Sequence, residues 1–254
     1  MPNTLNKPFV SIITVTFNAE IYLERTIKSI IAQTSADYEY IIVDGKSKDS
    51  TLEIADKYKI YISNCISEPD KGLYDAMNKG ISLANGHFIW FINAGDEIYD
   101  KHVIEKLKRL FEKSNCDILY GNTMITADDG SEIGAKRQKT PKKLTYKSLK
   151  HGMIVSHQSF LCALTICPEY NLKYKYSADN DWMVRCLKAA QNIVNANIYI
   201  SKFLDGGRSK QTIIPSLKER FHIMRHNYGL LATLWYHIPI AFRFIFFVIR
   251  NKRF

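Results

Sequence analysis

Over its first half the chain alternates between short unbroken apolar runs and longer stretches whose apolar residues lie three or four apart. Phe9 to Phe17 is an unbroken run rich in β-branched residues and predicts a buried strand. Leu23, Ile27, Ile30 and Ile31 then line one face of a predicted helix, which Asn18 can cap. Tyr38 to Val43 predicts the next strand, Ser50 to about Tyr58 a helix, and Lys59 to Ile66 a third strand. After Glu68-Pro-Asp-Lys-Gly72 a helix runs to about Asn85, and Phe88 to Ile92 forms a fourth buried strand. Tyr99 to Lys113 reads as a helix and Asp117 to Tyr120 as a further strand. Strands separated by single helices imply a mostly parallel α/β sheet covered on both faces, with ligands at the strand C-termini.

Past Gly121 the rhythm changes. Met124 to Ala127 and Glu132 to Ala135 flank Asp128-Asp-Gly130 and predict a hairpin. The basic segment Lys136 to Lys150 follows, then a strand-like apolar piece leading to His157-Gln-Ser-Phe160. Tyr176-Ser-Ala-Asp-Asn-Asp181 precedes a predicted helix from Trp182 to Ala190, and Phe203-Leu-Asp-Gly-Gly-Arg-Ser209 is a glycine-bearing loop. A helical, basic tail comes last. No repeat or low-complexity segment interrupts this order.

The polar turns all fall where the predicted strands end: Asn18, Asp44, Glu68 with Asp70, and Asp96. Asp96 closes the Asn-Ala-Gly-Asp turn after the fourth strand, a setting that suits a hard cation sharing its shell with phosphate oxygens. No Gly-x-Gly-x-x-Gly follows the first strand, and no Walker-type Gly-Lys-Ser/Thr occurs. The pattern therefore argues against a dinucleotide dehydrogenase or a P-loop ATPase. Polar and acidic side chains at strand ends suit a nucleotide read through its base and ribose, with a metal handling the diphosphate.

Charge adds a second theme. The net charge of +10 over 254 residues is unevenly spread. From Lys202 onward ten Lys or Arg are opposed only by Asp205 and Glu219, and Lys136 to Lys150 holds seven cations and no acid. No zinc spacing or aromatic RNA-binding pattern accompanies them, which argues against nucleic acid as partner. The run from Trp235 to Ile249 is broken by Pro239 and Arg243 and is short for a transmembrane helix. Two readings stand side by side: interfacial attachment to an anionic membrane surface, and a core-packed helix with a solvated basic end. Five cysteines without a Cys-x-x-Cys pair predict free thiols and a reducing compartment. With no apolar leader at the N-terminus, the expected location is cytoplasmic, peripheral on the inner face of the cell membrane.

Val10-Ser-Ile-Ile-Thr-Val-Thr-Phe-Asn18 with Leu23, followed by Ile42-Val-Asp-Gly-Lys-Ser-Lys-Asp-Ser-Thr51, resembles the opening of family 2 glycosyltransferases of the GT-A fold. Ser67-Glu-Pro-Asp-Lys-Gly-Leu-Tyr-Asp-Ala-Met-Asn-Lys-Gly80, Asn93-Ala-Gly-Asp96, His157-Gln-Ser159, Asp179 with Arg185, and Gly206-Gly-Arg-Ser209 continue the resemblance in order. It spans roughly residues 8 to 210 and leaves out the tail. It implies a GT-A domain over 1–210, with a donor half over about 8–121, an acceptor half over about 122–210, and an appended tail over 211–254.

The resemblance implies an inverting transferase of the hexosyltransferase type. Such enzymes move a sugar from a nucleotide-diphosphate donor to a hydroxyl of a saccharide or lipid-linked saccharide. The bacterial setting it implies is assembly of a surface polysaccharide such as O-antigen, capsule or exopolysaccharide. By the same resemblance Asp44 meets the donor base, and Thr16 and Asn18 line the nucleotide pocket. Asp96 matches the last acid of the family's metal-binding Asp-x-Asp-Asp run and is expected to hold Mg²⁺ or Mn²⁺, although Asn93 and Gly95 replace earlier acids. Asp75 and Asn78 face the donor sugar or tie the helix start to its neighbours, and Lys71 is a candidate for the diphosphate. His157 is expected on the diphosphate or acceptor side. Asp179 matches the catalytic base, with Ala178 where a Glu is usual and Asp181 as a rival two residues on.

Two other classes remain to be separated. A sugar-nucleotide nucleotidyltransferase would share the βα half and the metal but needs a Gly-rich, Arg-bearing loop after the first strand, which Thr14-Val-Thr-Phe-Asn18 does not supply. A non-catalytic, membrane-attached binding protein of the same fold would have no reason to keep both Asp96 and Asp179.

Overall fold

The computed structural model describes residues 7–205 and 213–238. The Gly206-Gly-Arg-Ser209 match and the basic run beyond residue 238 lie outside them. In the donor half β1 (Val10–Thr16), α1 (Leu23–Ile31), β2 (Tyr38–Asp44), α2 (Thr51–Lys57), β3 (Asn64–Ser67), α3 (Leu73–Leu83) and β4 (Phe88–Phe91) follow one another. Then come β5 (Glu97–Ile98), α4 (Val103–Ser114), β6 (Ile118–Thr126), β7 (Glu132–Ala135), β8 (Phe160–Ala163), α5 (Ala178–Ala189), β9 (Ile193–Leu204) and α6 (Ile213–Tyr228). Residues 230–238 form a last helix, α7.

One sheet runs through the molecule in the order β3-β2-β1-β4-β8-β6-β9-β5, with β7 paired to β6. β1 pairs in parallel with β2 and β4, β2 with β3, and β6 with β9. β8 is antiparallel to both β4 and β6, so β6 and β9 run in the same direction as β1 to β4. The sheet is therefore mostly parallel, and its strand C-termini form one edge. The unbroken apolar runs follow from this placement, because each central strand is covered twice. Ile13 and Val15 of β1 pack with Met77 of α3 and Trp182 of α5, while Val10 and Ile12 pack with Ile27 of α1 and Leu107 of α4. Each such side chain contributes roughly 1.5–3 kcal/mol by leaving water.

Several local expectations are corrected. Lys59 to Ile66 is not one strand: Lys59–Tyr61 is a 3₁₀ turn that leaves Ile60 exposed, and the strand begins at Asn64. The strand-like piece expected between Lys150 and His157 is loop, entered from a 3₁₀ segment at Tyr146–His151, and the strand follows that histidine as β8. The two-residue β5 and the twelve-residue β9 were not expected at all. Asn18 does not cap α1, whose N-cap is Tyr22. It adopts a left-handed backbone (φ 48°) and reaches across to the loop after β2. All five cysteines are free, and Cys116, Cys162 and Cys186 are buried.

α6 docks on the acceptor half. Glu219 accepts from the main-chain N–H groups of Lys175, Tyr176 and Ser177 at 2.8, 2.8 and 2.9 Å, tying α6 to the turn that starts α5. Ile223 and Met224 are buried beneath it.

Candidate active site

The register brings Thr16 beside Asp44 at the ends of β1 and β2. Asp44 is fully buried, and it accepts from the Ser47 main-chain N–H at 2.9 Å, the Ser47 hydroxyl and the Ser67 hydroxyl at 2.6 Å. A carboxylate offers about four acceptor positions, so roughly one remains for a ligand N–H. Thr16 Oγ1 is buried without a hydrogen-bond partner among the described residues. Asn18 accepts from Lys48 N–H at 2.9 Å, and its own N–H donates to Ser47 Oγ at 2.8 Å, which knits the two loops together. Phe17, half exposed at 53 %, lies against the same edge, where a Cβ on Gly45 would stand 3.2 Å from its ring.

Asp96 stands at the end of the neighbouring strand, and α1 holds its turn. Thr26 Oγ1 donates to Asp96 O at 2.8 Å and accepts from Gly95 N–H at 2.9 Å, while Arg25 donates to Gly95 O at 3.1 Å. Gly95 is required: its φ is +102°, and a Cβ there would meet Leu204 at 2.9 Å. The Asp96 carboxylate is buried and accepts from Gln158 Nε2 at 2.8 Å and Leu204 N–H at 3.2 Å. Burial pushes its carboxyl up to about 7, opposed by those two hydrogen bonds and by nearby Arg25.

Asp179 comes from the acceptor half, in the first turn of α5. Tyr74 of α3 donates to its Oδ1 at 3.4 Å, and His157 Nδ1 lies 3.8 Å from its Oδ2. The other imidazole nitrogen is 3.2 Å from Asn93 Nδ2. An amide N–H₂ can only donate, so Nε2 accepts and the neutral ring carries its proton on Nδ1, toward Asp179. Burial lowers the His157 pKa, with Asp179 opposing, and so favours that neutral ring. A continuous polar line thus runs Asp179, His157, Asn93 and into the turn that carries Asp96.

The rival acid is spoken for. Asp181 is buried and pairs with Arg185 Nε at 2.8 Å on its own helix, and Arg185 also donates to Glu169 O at 2.8 Å. Asp75 and Asn78 are likewise engaged in holding structure. Asp75 accepts from Lys71 N–H at 2.9 Å, and Asn78 gives both ends of its amide to the main chain of Tyr170, at 3.0 and 2.6 Å. Lys71 is exposed. The structure does not draw Asn78 into the polar line.

Three contributors escaped the sequence reading. Lys136, read as one cation of a basic stretch, is largely buried, and its Nζ donates to Met153 O at 2.8 Å and Ser156 Oγ at 3.2 Å. Burial lowers its pKa to about 8, with Asp179 opposing and Arg220 adding to the fall. Gln158 sits inside the His-Gln-Ser match, but only the fold shows that it grips Asp96. Leu204 contributes a main-chain N–H from the end of the unexpected β9.

Could these residues hold a divalent ion? No group of three or more His, Cys, Asp or Glu suited to a metal occurs among the described residues. Asn93 Oδ1, however, is buried without a hydrogen-bond partner three residues from Asp96 on the same turn. A neutral oxygen beside a buried carboxylate fits a hard cation that takes its remaining ligands from phosphate and water.

Residues 11–164 match the family model for glycosyl transferase family 2. The chain belongs to this family and is a glycosyltransferase of the GT-A fold. It is 29 % identical over 212 residues to a PGL/p-HBAD biosynthesis glycosyltransferase of Mycobacterium bovis, covering 82 % of this chain and 81 % of the relative. It is 30 % identical over 152 residues to TuaG, a putative teichuronic acid biosynthesis glycosyltransferase of Bacillus subtilis, covering 59 % and 60 % of the two chains. Among solved structures it is similar to S. aureus TarS 1-349, with a TM-score of 0.70 at 17 % identity over 91 % of this chain and 72 % of that one. The complex of TarS 1-349 with UDP-GlcNAc superposes with a TM-score of 0.68 at 17 % identity, over 85 % and 64 % of the chains.

Proposed function

We propose that the protein transfers a sugar, with inversion, from a nucleotide-diphosphate sugar to a hydroxyl of a saccharide or lipid-linked saccharide. The setting is assembly of a cell-surface polysaccharide at the cytoplasmic, anionic face of the membrane. Relatives named for PGL/p-HBAD and teichuronic acid biosynthesis support a role in surface-glycan assembly. The observation that carries the reading is the line from Asp179 through His157 and Asn93 to the Asp96 turn. It joins an acid of the acceptor half to the strand ends of the donor half.

On this reading the base lies over Asp44 and the unpartnered Thr16 hydroxyl, with Phe17 as a stacking surface. Asp96 and Asn93 would hold Mg²⁺ or Mn²⁺, which when bound offsets charge on the diphosphate. Asp179 takes the proton of the acceptor hydroxyl as its oxygen bonds to the anomeric carbon. The bond from that carbon to the diphosphate breaks, and the nucleoside diphosphate leaves with the electron pair. Lys136 and His157 enclose the reacting groups on the acceptor side, and Lys136 has an N–H left for a phosphate or acceptor oxygen.

Asp179→Asn keeps the shape and removes the base. Transfer falls by about 10²–10⁴ while nucleotide affinity measured by calorimetry stays within about two-fold. Turnover at the normal rate in that variant would remove Asp179 from the role.

A further inference from the structure

α7 turns its apolar side to solvent. Leu230, Leu231, Leu234, Trp235 and Ile238 are 46, 83, 48, 72 and 50 % exposed. Their spacing puts them on one face of the helix. The opposite side is polar and faces the protein: Thr233 is fully buried, and the His237 ring packs on Phe221 of α6 at 5.1 Å. A helix docked on a soluble protein normally buries its apolar stripe, so this orientation is inverted.

Cations stand on the elements next to α7. Lys218, Arg220 and Arg225 of α6 are exposed, and Lys150 lies 5.3 Å over the rings of both Tyr228 and Tyr236. From Lys202 onward the sequence is overwhelmingly basic. An exposed apolar helix face that carries a Trp, in a strongly basic part of the chain, matches the boundary between headgroups and acyl chains of an anionic bilayer. A second copy of the chain would oppose two basic surfaces instead. No described helix is long and apolar enough to cross a membrane, so the contact is made in the plane of the surface.

We infer that the outward face of α7 is a docking surface for an anionic lipid bilayer, entered by Leu231, Leu234 and Trp235. The choice of occupant rests on the proposed membrane partner. The test needs neither donor nor acceptor, so its failure leaves the glycosyl-transfer reading standing.

The chain has three tryptophans, and Trp90 and Trp182 are fully buried. Quenching by brominated lipid therefore reports Trp235. The full chain is mixed with vesicles of brominated phosphatidylcholine, with and without phosphatidylglycerol, at low and high salt. Expected is quenching and co-sedimentation on the anionic vesicles, weakened by salt. Leu231→Ser with Leu234→Ser should cut that partition about ten-fold or more and leave nucleotide binding unchanged. Absence of partition on anionic vesicles overturns the inference. So does protection of Trp235 from acrylamide without vesicles, whether residues 239–254 or a second copy in sedimentation analysis provides the cover.

Discussion

At the scale of single residues, two groups, one buried and one largely so, are poised by their surroundings. Asp96 is a carboxyl that burial pushes up to about 7, so a cation beside it restores its charge. Asp96→Ala should abolish the gain in donor affinity that Mn²⁺ confers, read by calorimetry with and without chelator. Equal Mn²⁺-dependent affinity in the variant would refute the metal assignment. Lys136 is the second such group, an amine lowered to about 8 among Asp179, His157 and Arg220. Lys136→Met should lower kcat by about 10- to 100-fold at constant nucleotide affinity, with Lys136→Arg restoring part of it. A kcat unchanged by Lys136→Met would make the amine a mere brace for Met153 and Ser156.

At the scale of elements, α5 separates two acids by two residues and gives them different work. Asp181 faces Arg185 one turn along the same helix, while Asp179 faces Tyr74 and His157. Asp181→Asn should cost about 1–3 kcal/mol in denaturant unfolding, reduced because Arg185 is a third exposed, yet leave kcat of the folded enzyme near normal. A large kcat loss at unchanged stability would reverse the two roles. The strands β1, β2 and β4 were legible because each is an apolar run ended by a polar turn, as at Asp44 and Asp96, whereas β3 and the two-residue β5 lack such a run. β9 was not, because Asn195 and a left-handed Asn197 interrupt its pattern and register shifts break its pairing with β6. The Asn18 cap failed for a related reason: its side chain found a long-range partner in Lys48 N–H. Burial of Lys136 leaves no mark on the sequence, where it looks like its six solvated-seeming neighbours in the basic stretch. Gln158 is similar, since its worth lies in a partner sixty-two positions away.

At the scale of the molecule, one sheet brings five distant segments to a common edge. β1 and β2 bring Thr16 and Asp44, the turn after β4 brings Asn93 and Asp96, and the segments around β8 and α5 bring His157 and Asp179. The described part of the tail does two things at once: α6 is fastened to the acceptor half through Glu219, while α7 keeps its apolar face outward. Of the two readings of the tail drawn from sequence, packing describes α6, and membrane attachment is the proposal made for α7. The central claim, sugar transfer from a nucleotide diphosphate, is tested most directly by product release. The purified chain is offered a panel of UDP-, GDP- and TDP-sugars with membrane-extracted acceptor, with Mn²⁺, Mg²⁺ or chelator. The account predicts release of nucleoside diphosphate from at least one donor, dependent on divalent metal and lost in Asp179→Asn. Release of pyrophosphate, or nucleoside diphosphate formed equally well by Asp179→Asn, would contradict it.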